Sequence, residues 1–137
     1  MDILQPRLDE WTGATITTWA WLPENAYQSV DPMVRVYRTG GGVQGDTHRD
    51  MAIVQVAVLS PSRADSWAVM EFCRQVLLAY DKLPAAKRSG IDSVAEVVGP
   101  QQIPDLNPEG RLVTTTWQIG CRVPRGTPDY AQIIENL

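Results

Sequence analysis

The alternating pattern between residues 111 and 123 is the sequence feature that most constrains the fold. Its odd positions are mostly apolar: Val113, Trp117, Ile119, Cys121 and Val123. Its even positions are mostly polar: Thr114, Thr116, Gln118 and Arg122. Because successive side chains of a β-strand point to opposite faces, this period of two predicts a strand with one face on a hydrophobic core. The other face is left for solvent or another subunit, and we expect Thr114, Thr116 and Gln118 to contact a neighbouring subunit.

Four further segments have the length and residue types of strands, and they predict the rest of a sheet: residues 15–22, 33–38, 51–59 and 91–98. Pro23 closes the first of them, and Gly99-Pro100 closes the last. In the second segment, Val34 and Val36 fall on one face of the predicted strand, and Arg35 and Tyr37 fall on the other.

One helix is predicted between residues 62 and 83. Ser62 is placed to cap it, Asp65 lies in the first turn, where the helix dipole favours an anion, and Pro84 ends it. Its apolar side chains recur at helical spacing on one face: Val69, Phe72, Cys73, Val76, Tyr80 and Leu83.

These elements predict an α+β fold, because a helix with a single apolar face needs a sheet to bury it. We expect a single domain over residues 1–137, in which a mostly antiparallel sheet packs against one long helix. Its ordered core is expected at about residues 14–124, with a short C-terminal tail at 125–137.

The bulk composition excludes several classes of protein. With 44% hydrophobic and 20% charged residues, the chain has the apolar content for a core and is not of the disordered class. A net charge of −4 without a run of Lys or Arg argues against gripping nucleic-acid backbones as its main task. No secretory signal and no membrane-spanning segment is expected. Cys73 and Cys121 lie on apolar faces and are expected to pack as thiols rather than form a redox pair.

The glycine-rich stretch at residues 40–46 fits the spacing G-x-G-x-x-G of a dinucleotide-binding motif. Such a motif must open a helix whose N-terminus faces the pyrophosphate, whereas here a strand follows at residues 51–59. We therefore expect no cofactor, and we interpret residues 39–50 as a long hairpin loop that is poorly ordered until it contacts a partner. The residues expected to make this contact are Gly41, Gly42, Val43, Gln44, His48 and Arg49.

No catalytic or metal site is predicted, and we expect the protein not to be an enzyme. His48 is the only histidine, and no nucleophile signature accompanies it. Asp46, His48 and Asp50 alternate as metal ligands would, but a glycine-rich loop does not hold such ligands rigidly. Trp19 and Trp21 share a strand face and are expected to meet another subunit, because aromatic residues are enriched at interfaces.

The order of the predicted elements carries a resemblance over roughly residues 14–124. Its segments are a strand at 32–36 with Gly40–Gly42 after it, a strand at 53–58, a helix from Ser62, Val97-Val98-Gly99-Pro100 and a final strand at 111–123. This order resembles the tail terminator proteins of long-tailed bacteriophages, especially those from phages of actinobacteria.

The resemblance implies a hexameric ring at the head-proximal end of the tail tube. Such a ring stops tube polymerisation and presents a surface for joining the head. The implied partners are further copies of the chain, the tail tube protein and a head completion or connector protein, while DNA passes through the lumen without specific binding. The implied location is the tail of the virion, after assembly in the cytoplasm of the bacterial host.

Two alternatives remain open. A head–tail connector or a tail tube subunit shares the α+β build and the habit of forming rings. A small-ligand enzyme is the alternative from a different class. The oligomeric state discriminates between these classes, because a stable monomer with a deep polar pocket favours an enzyme and a ring favours the terminator.

Overall fold

The computed structural model describes Leu4 and residues 16–21, 23–45, 49–84, 90–103, 108–122 and 130–137. In chain order its strands and helices are β1 (Thr17–Trp19), β2 (Met33–Gln44), β3 (Arg49–Leu59), α1 (Arg63–Leu78), β4 (Ile91–Gln102), β5 (Leu112–Cys121) and α2 (Tyr130–Glu135). Single turns of 3-10 helix lie at Ala26–Gln28, Tyr80–Lys82 and Pro108–Gly110. The boundaries predicted for an ordered core and a tail remain predictions.

The five strands form one sheet in the order β1-β2-β3-β5-β4. β1 runs parallel to β2, and the other neighbouring pairs are antiparallel. α1 packs against β3, β5 and β4 on one side of this sheet. The predicted α+β fold, with a mostly antiparallel sheet packed against one long helix, is confirmed.

The hydrophobic core lies between α1 and the sheet. From the sheet it receives Val34, Val56, Val58, Val113 and Trp117, and from the helix Val69, Met70, Cys73 and Leu77. Trp117 is completely buried, and its Nε1 donates to Thr115 Oγ1 at 2.7 Å, so its indole N–H is satisfied inside the protein. The predicted core face of β5 is therefore confirmed at Val113 and Trp117.

The start of α1 follows the predicted capping pattern. Asp65 N donates to Ser62 Oγ at 3.1 Å, and Ser62 Oγ donates to the Asp65 carboxylate at 2.7 Å. In the next turn, the buried Ser66 Oγ contacts Ser60 Oγ at 2.8 Å and donates to the Arg111 carbonyl. The helix start is thus tied to the end of β3 and the beginning of β5.

The helix is shorter than predicted, since it ends at Leu78 rather than near residue 83. The chain then tightens into the 3-10 turn, where Lys82 N donates to the Ala79 carbonyl at 3.0 Å. This turn places the ring of Tyr80, which is 1% exposed, in the core. Phe72 and Val76 pack against the core but are only partly buried.

The glycine-rich stretch is not the loop that the sequence predicted. β2 continues through it to Gln44, and Gly40, Gly41 and Gly42 pair with Ile53, Ala52 and Met51 of β3. The register shifts between Arg38 and Gly40, which marks a β-bulge, and Gly41 adopts a φ of +90°. A Cβ at Gly41 would lie 2.0 Å from the Met51 carbonyl oxygen. Glycine is needed here so that the strand can pass the bulge. The prediction of a loop is wrong for residues 39–44 and 49–50, which are strand, while residues 46–48 lie outside the described residues.

β4 also differs from the sequence prediction, because it does not stop at residue 98. It runs through Gly99 and Pro100 to Gln102, with three register shifts against β5. A proline is tolerated here because β4 lies at the edge of the described sheet and can leave one backbone position without a ladder hydrogen bond.

Candidate functional site

The sheet face opposite α1, here called the open face, is the candidate functional surface. Directly paired residues of neighbouring strands lie on the same face, so the register defines rows of side chains across it. Three consecutive rows in the middle of the sheet are Trp19, Arg35, Ala57, Thr114 and Gln101; then Tyr37, Gln55, Thr116 and Val98; then Gly40, Ile53, Gln118 and Ala95.

The middle row of the open face combines polar and apolar groups. Tyr37 Oη donates to Gln55 Oε1 across the β2–β3 pair. Gln55 and Thr116 are half-buried, whereas Val98 at the edge is 37% exposed. This mixture of hydrogen-bonding and apolar groups is that of a wet protein–protein interface.

The row that contains Arg35, Ala57 and Thr114 is more covered at its centre. Thr114 lies on the predicted non-core face of β5, but it is only 2% exposed, and its neighbour Ala57 is 1% exposed. The connection between β1 and β2 reaches this end of the sheet, where Arg111 Nη2 donates to the Tyr27 carbonyl at 2.7 Å. The alternating pattern gave the correct face for Thr114 but not its burial, because burial depends on contacts with parts of the chain that are distant in sequence.

Thr116 and Gln118 match the sequence prediction better. Both lie on the open face in neighbouring rows, and both are half-buried rather than covered. Their contact with a neighbouring subunit remains a prediction.

The same face holds Arg35, which the sequence analysis placed on the non-core side of β2 without assigning it a role. Its Cζ lies 4.0 Å from the centroid of the Tyr37 ring, a cation–π contact. Its Nε is buried and has no hydrogen-bond acceptor. The alternation of Val34 and Val36 with Arg35 and Tyr37 was the sequence pattern that located this pair.

The predicted contact residues of the glycine-rich stretch lie in the β2–β3 hairpin. Gly41, Gly42, Val43 and Gln44 form the end of β2, and Val43 is 66% exposed. Gln44 pairs with Arg49 at the start of β3. His48 lies outside the described residues.

Ion pairs lie along this hairpin, and the sequence analysis predicted none of them. Arg49 Nε lies 3.4 Å from Asp92 Oδ2, and Arg122 Nε contacts the other oxygen of the same carboxylate. Arg38 binds Asp50 through two hydrogen bonds of 2.6 and 2.8 Å. These pairs join different strands, so spacing along the chain gave no indication of them.

The Arg38–Asp50 pair perturbs the titration of both partners. Hydrogen bonding to the Arg38 guanidinium lowers the pKa of Asp50, and the same contact raises the pKa of Arg38. Asp50, one of three residues weighed as a metal ligand, is therefore held as the carboxylate of an ion pair. Asp46 and His48, the other two, lie outside the described residues.

The two cysteines are free thiols. Cys73 is fully buried against the sheet, and desolvation raises its pKa to about 12, which keeps it protonated and unreactive. Cys121, at the end of β5, is half-buried, and partial burial likewise raises its pKa. Their predicted role as packed thiols fits this placement.

The comparison with protein families settles the broad class of the chain. The family model described as phage tail termination protein matches residues 1–128. The chain belongs to this family. No curated protein sequence matches it.

Membership of the phage tail termination family confirms the predicted resemblance to phage tail terminator proteins. The family consists of structural phage tail proteins rather than enzymes, and it implies a location in the virion tail and contact with tail and head proteins. Among the described residues, no helix is long and apolar enough to cross a membrane. An origin in a phage of actinobacteria, or in a long-tailed phage, remains a prediction.

Proposed function

We propose that copies of this chain close into a hexameric ring on the head-proximal end of the tail tube. The ring stops tube polymerisation and presents the surface to which a head completion or connector protein binds. DNA passes through its lumen without being held at specific sites, and the ring assembles in the cytoplasm of the bacterial host. Family membership supports the assignment to the tail, and the open face supports the assembly of copies.

The observation that carries the ring is the asymmetry between the two faces of the sheet. α1 covers one face with apolar side chains, whereas the other presents the polar side chains of Tyr37, Gln55, Thr116 and Gln118. A patch of this kind on one copy contacts a different patch on the next. Head-to-tail contacts of that type close into a ring when the rotation between copies divides a full turn.

We assign the sheet edges a smaller part in this contact. β1 pairs only with Met33–Arg35, so among the described strands β2 has no outer partner from Val36 to Gln44. β4 forms the opposite edge of the sheet. Both edges carry bulges, and β4 contains Pro100, features that interrupt long strand-to-strand pairing. We therefore assign the main contact to the open face, with short edge segments at its margin.

The β2–β3 hairpin is assigned to contact with the tail tube or a neighbouring subunit. Val43 is two-thirds exposed at its end, and an exposed valine on a paired strand is a ready apolar contact. The hairpin is paired along both of its arms up to Gln44 and Arg49, so it presents a formed surface rather than a segment that must fold on binding.

A phage lysate that lacks this protein tests the function. We expect tails that exceed the normal length and fail to join heads, and added purified protein restores joining. Tails of normal length that still lack heads would instead indicate a head–tail connector, and the absence of tails would indicate a tube subunit. Normal-length tails joined to heads without the protein would contradict a role in tail termination altogether.

A further inference from the structure

The open face carries an arginine whose guanidinium has no anionic partner among the residues that the structure describes. In the part of the chain that the structure describes, Arg35 forms no ion pair, and its buried Nε donates to no acceptor. A buried donor without an acceptor costs stability, and native proteins contain few of them. Arg35 as a whole is only half-buried, so part of its side chain stays accessible to an acceptor from outside the subunit.

Four of the other six arginines that the structure describes pair with a carboxylate, whereas Arg63 and Arg111 do not. Arg38 binds Asp50, Arg49 and Arg122 share Asp92, and Arg74 binds Glu96 at 2.6 Å. Arg111 resembles Arg35 in two ways, because its Nε is also buried without a described acceptor and its Cζ lies 5.6 Å from the centroid of the Tyr27 ring. It differs in that its Nη2 donates to the Tyr27 carbonyl. Arg35 differs from all of these because its only described polar contact is the face of an aromatic ring.

The surroundings of Arg35 orient its guanidinium without neutralising it. The Tyr37 ring lies 4.0 Å away, and stacking on a ring holds the planar group while its N–H edge stays free. Tyr37 is itself fixed by its hydrogen bond to Gln55. Across the ladder the neighbour of Arg35 is Ala57, whose methyl group offers no acceptor. A free guanidinium edge of this kind matches a carboxylate, which it binds through two parallel hydrogen bonds.

We propose that Arg35 binds a carboxylate side chain of a neighbouring copy of this chain, a contact that rests on the proposed ring. The charge of the chain supports a second copy as the source, because 16 acidic residues outnumber 12 basic ones. Among the described residues, several exposed carboxylates have no basic partner: Glu24, Asp31, Glu109 and Glu135. Each neighbouring copy thus brings both the free cation and candidate anions to the contact.

The test compares Arg35→Gln, Arg35→Lys and the matched control Arg63→Gln by sedimentation velocity over a range of protein and salt concentrations. Arg63 also lacks a carboxylate partner among the described residues, but it lies at the start of α1 on the other side of the sheet. We expect Arg35→Gln to raise the concentration for half-assembly by about tenfold or more, and Arg35→Lys to raise it less, because lysine keeps the charge but not the planar fork. Arg63→Gln should stay within about twofold of the wild type.

A charge exchange identifies the partner. Arg35→Glu should not assemble alone, and a Lys substitution of the contacted carboxylate in the same chain should restore assembly. Circular dichroism and urea unfolding of each variant below its assembly concentration confirm that the subunit is folded. The wild-type assembly should also weaken with added salt more steeply than that of Arg35→Gln, because screening acts on the ion pair.

The outcomes separate this proposal from the proposed function. If the wild type assembles and Arg35→Gln assembles equally well, the Arg35 contact is wrong while the ring stands. Intact rings of Arg35→Gln that bind DNA more weakly would assign the arginine to a phosphate and also overturn the proposal. If the wild type itself caps tails as a monomer, the ring fails whatever Arg35 does.

Discussion

At the scale of single residues, backbone geometry decides which position of the stretch Gly40-Gly41-Gly42 requires glycine. The stretch Gly40-Gly41-Gly42 looks like a phosphate-binding motif or a mobile loop, yet the structure uses it to carry β2 past a bulge. Only Gly41 requires glycine for a steric reason, since its φ is +90° and its α-carbon faces the backbone of β3. Gly40 and Gly42 have nothing within 4 Å of the position of a Cβ.

This difference predicts opposite outcomes for two alanine substitutions. Gly41→Ala should lower the free energy of unfolding by at least about 2 kcal/mol, because its methyl group would meet the Met51 carbonyl. Gly42→Ala should change it by less than about 1 kcal/mol. Urea unfolding of both variants below the assembly concentration measures this, and equal stability of the two would refute the need for glycine at the bulge.

The Arg38–Asp50 pair predicts a pH dependence. The folded-state pKa of Asp50 lies below its ordinary value of 3.8, so the pair contributes stability above that pH and loses it as the pH falls through the lower folded value. Asp50→Asn should therefore lose less stability than the wild type on acidification below about pH 4. Thermal melts between about pH 6 and about pH 2 supply the comparison, with Asp65→Asn as a control outside this pair. Parallel curves for the wild type and Asp50→Asn would contradict the assignment.

At the scale of elements, α1 and β5 form the centre of the fold. Met70 of α1 and Trp117 of β5 are completely buried on the facing surfaces. Ser62 and Ser66 fix the helix start, and the 3-10 turn after Leu78 brings Tyr80 into the same core. The contact between one helix and the sheet is therefore the main source of stability in the described part of the chain.

Truncation on the helix tests this contact. Met70→Ala should lower the free energy of unfolding by about 2 to 5 kcal/mol, because it removes a fully buried side chain and leaves a cavity. Glu71→Ala, at the next position on the exposed side of α1, should change it by less than about 1 kcal/mol. Denaturant unfolding of both variants measures the difference, and a small effect at Met70 would place the core elsewhere.

Sequence patterns predicted these elements well where one periodicity acted alone. The alternation in β5 gave its two faces, and the capping pattern at Ser62 gave the helix start. The errors lie where tertiary contacts override local preference. Glycine at 40–42 favours a loop until pairing with β3 is counted, and Gly99-Pro100 favours a strand end unless the strand lies at an edge. The burial of Thr114 depends on parts of the chain that are distant in sequence, which no local pattern contains. The contact between Arg35 and Tyr37, by contrast, follows from their alternation on one strand.

At the scale of the whole molecule, the two faces of the sheet differ, because α1 covers one of them and the other is the open face. The family match assigns it to phage tails, and the ion pairs around Asp92 and Asp50 occupy most of the charged groups at the hairpin end of the sheet. The open face is then an extended surface whose polar side chains can contact a neighbouring copy. A repeated contact through that face is what the proposed ring requires.

The most direct measurement of this account is electron cryomicroscopy of isolated tails at their head-proximal end. We predict a closed ring of this chain on the last layer of tube protein, with Gln55, Thr116 and Gln118 buried between neighbouring copies and Arg35 in contact with a neighbour's carboxylate. A single copy at the tail end, or a ring whose copies contact each other only through α1 and leave the open face in solvent, would contradict it.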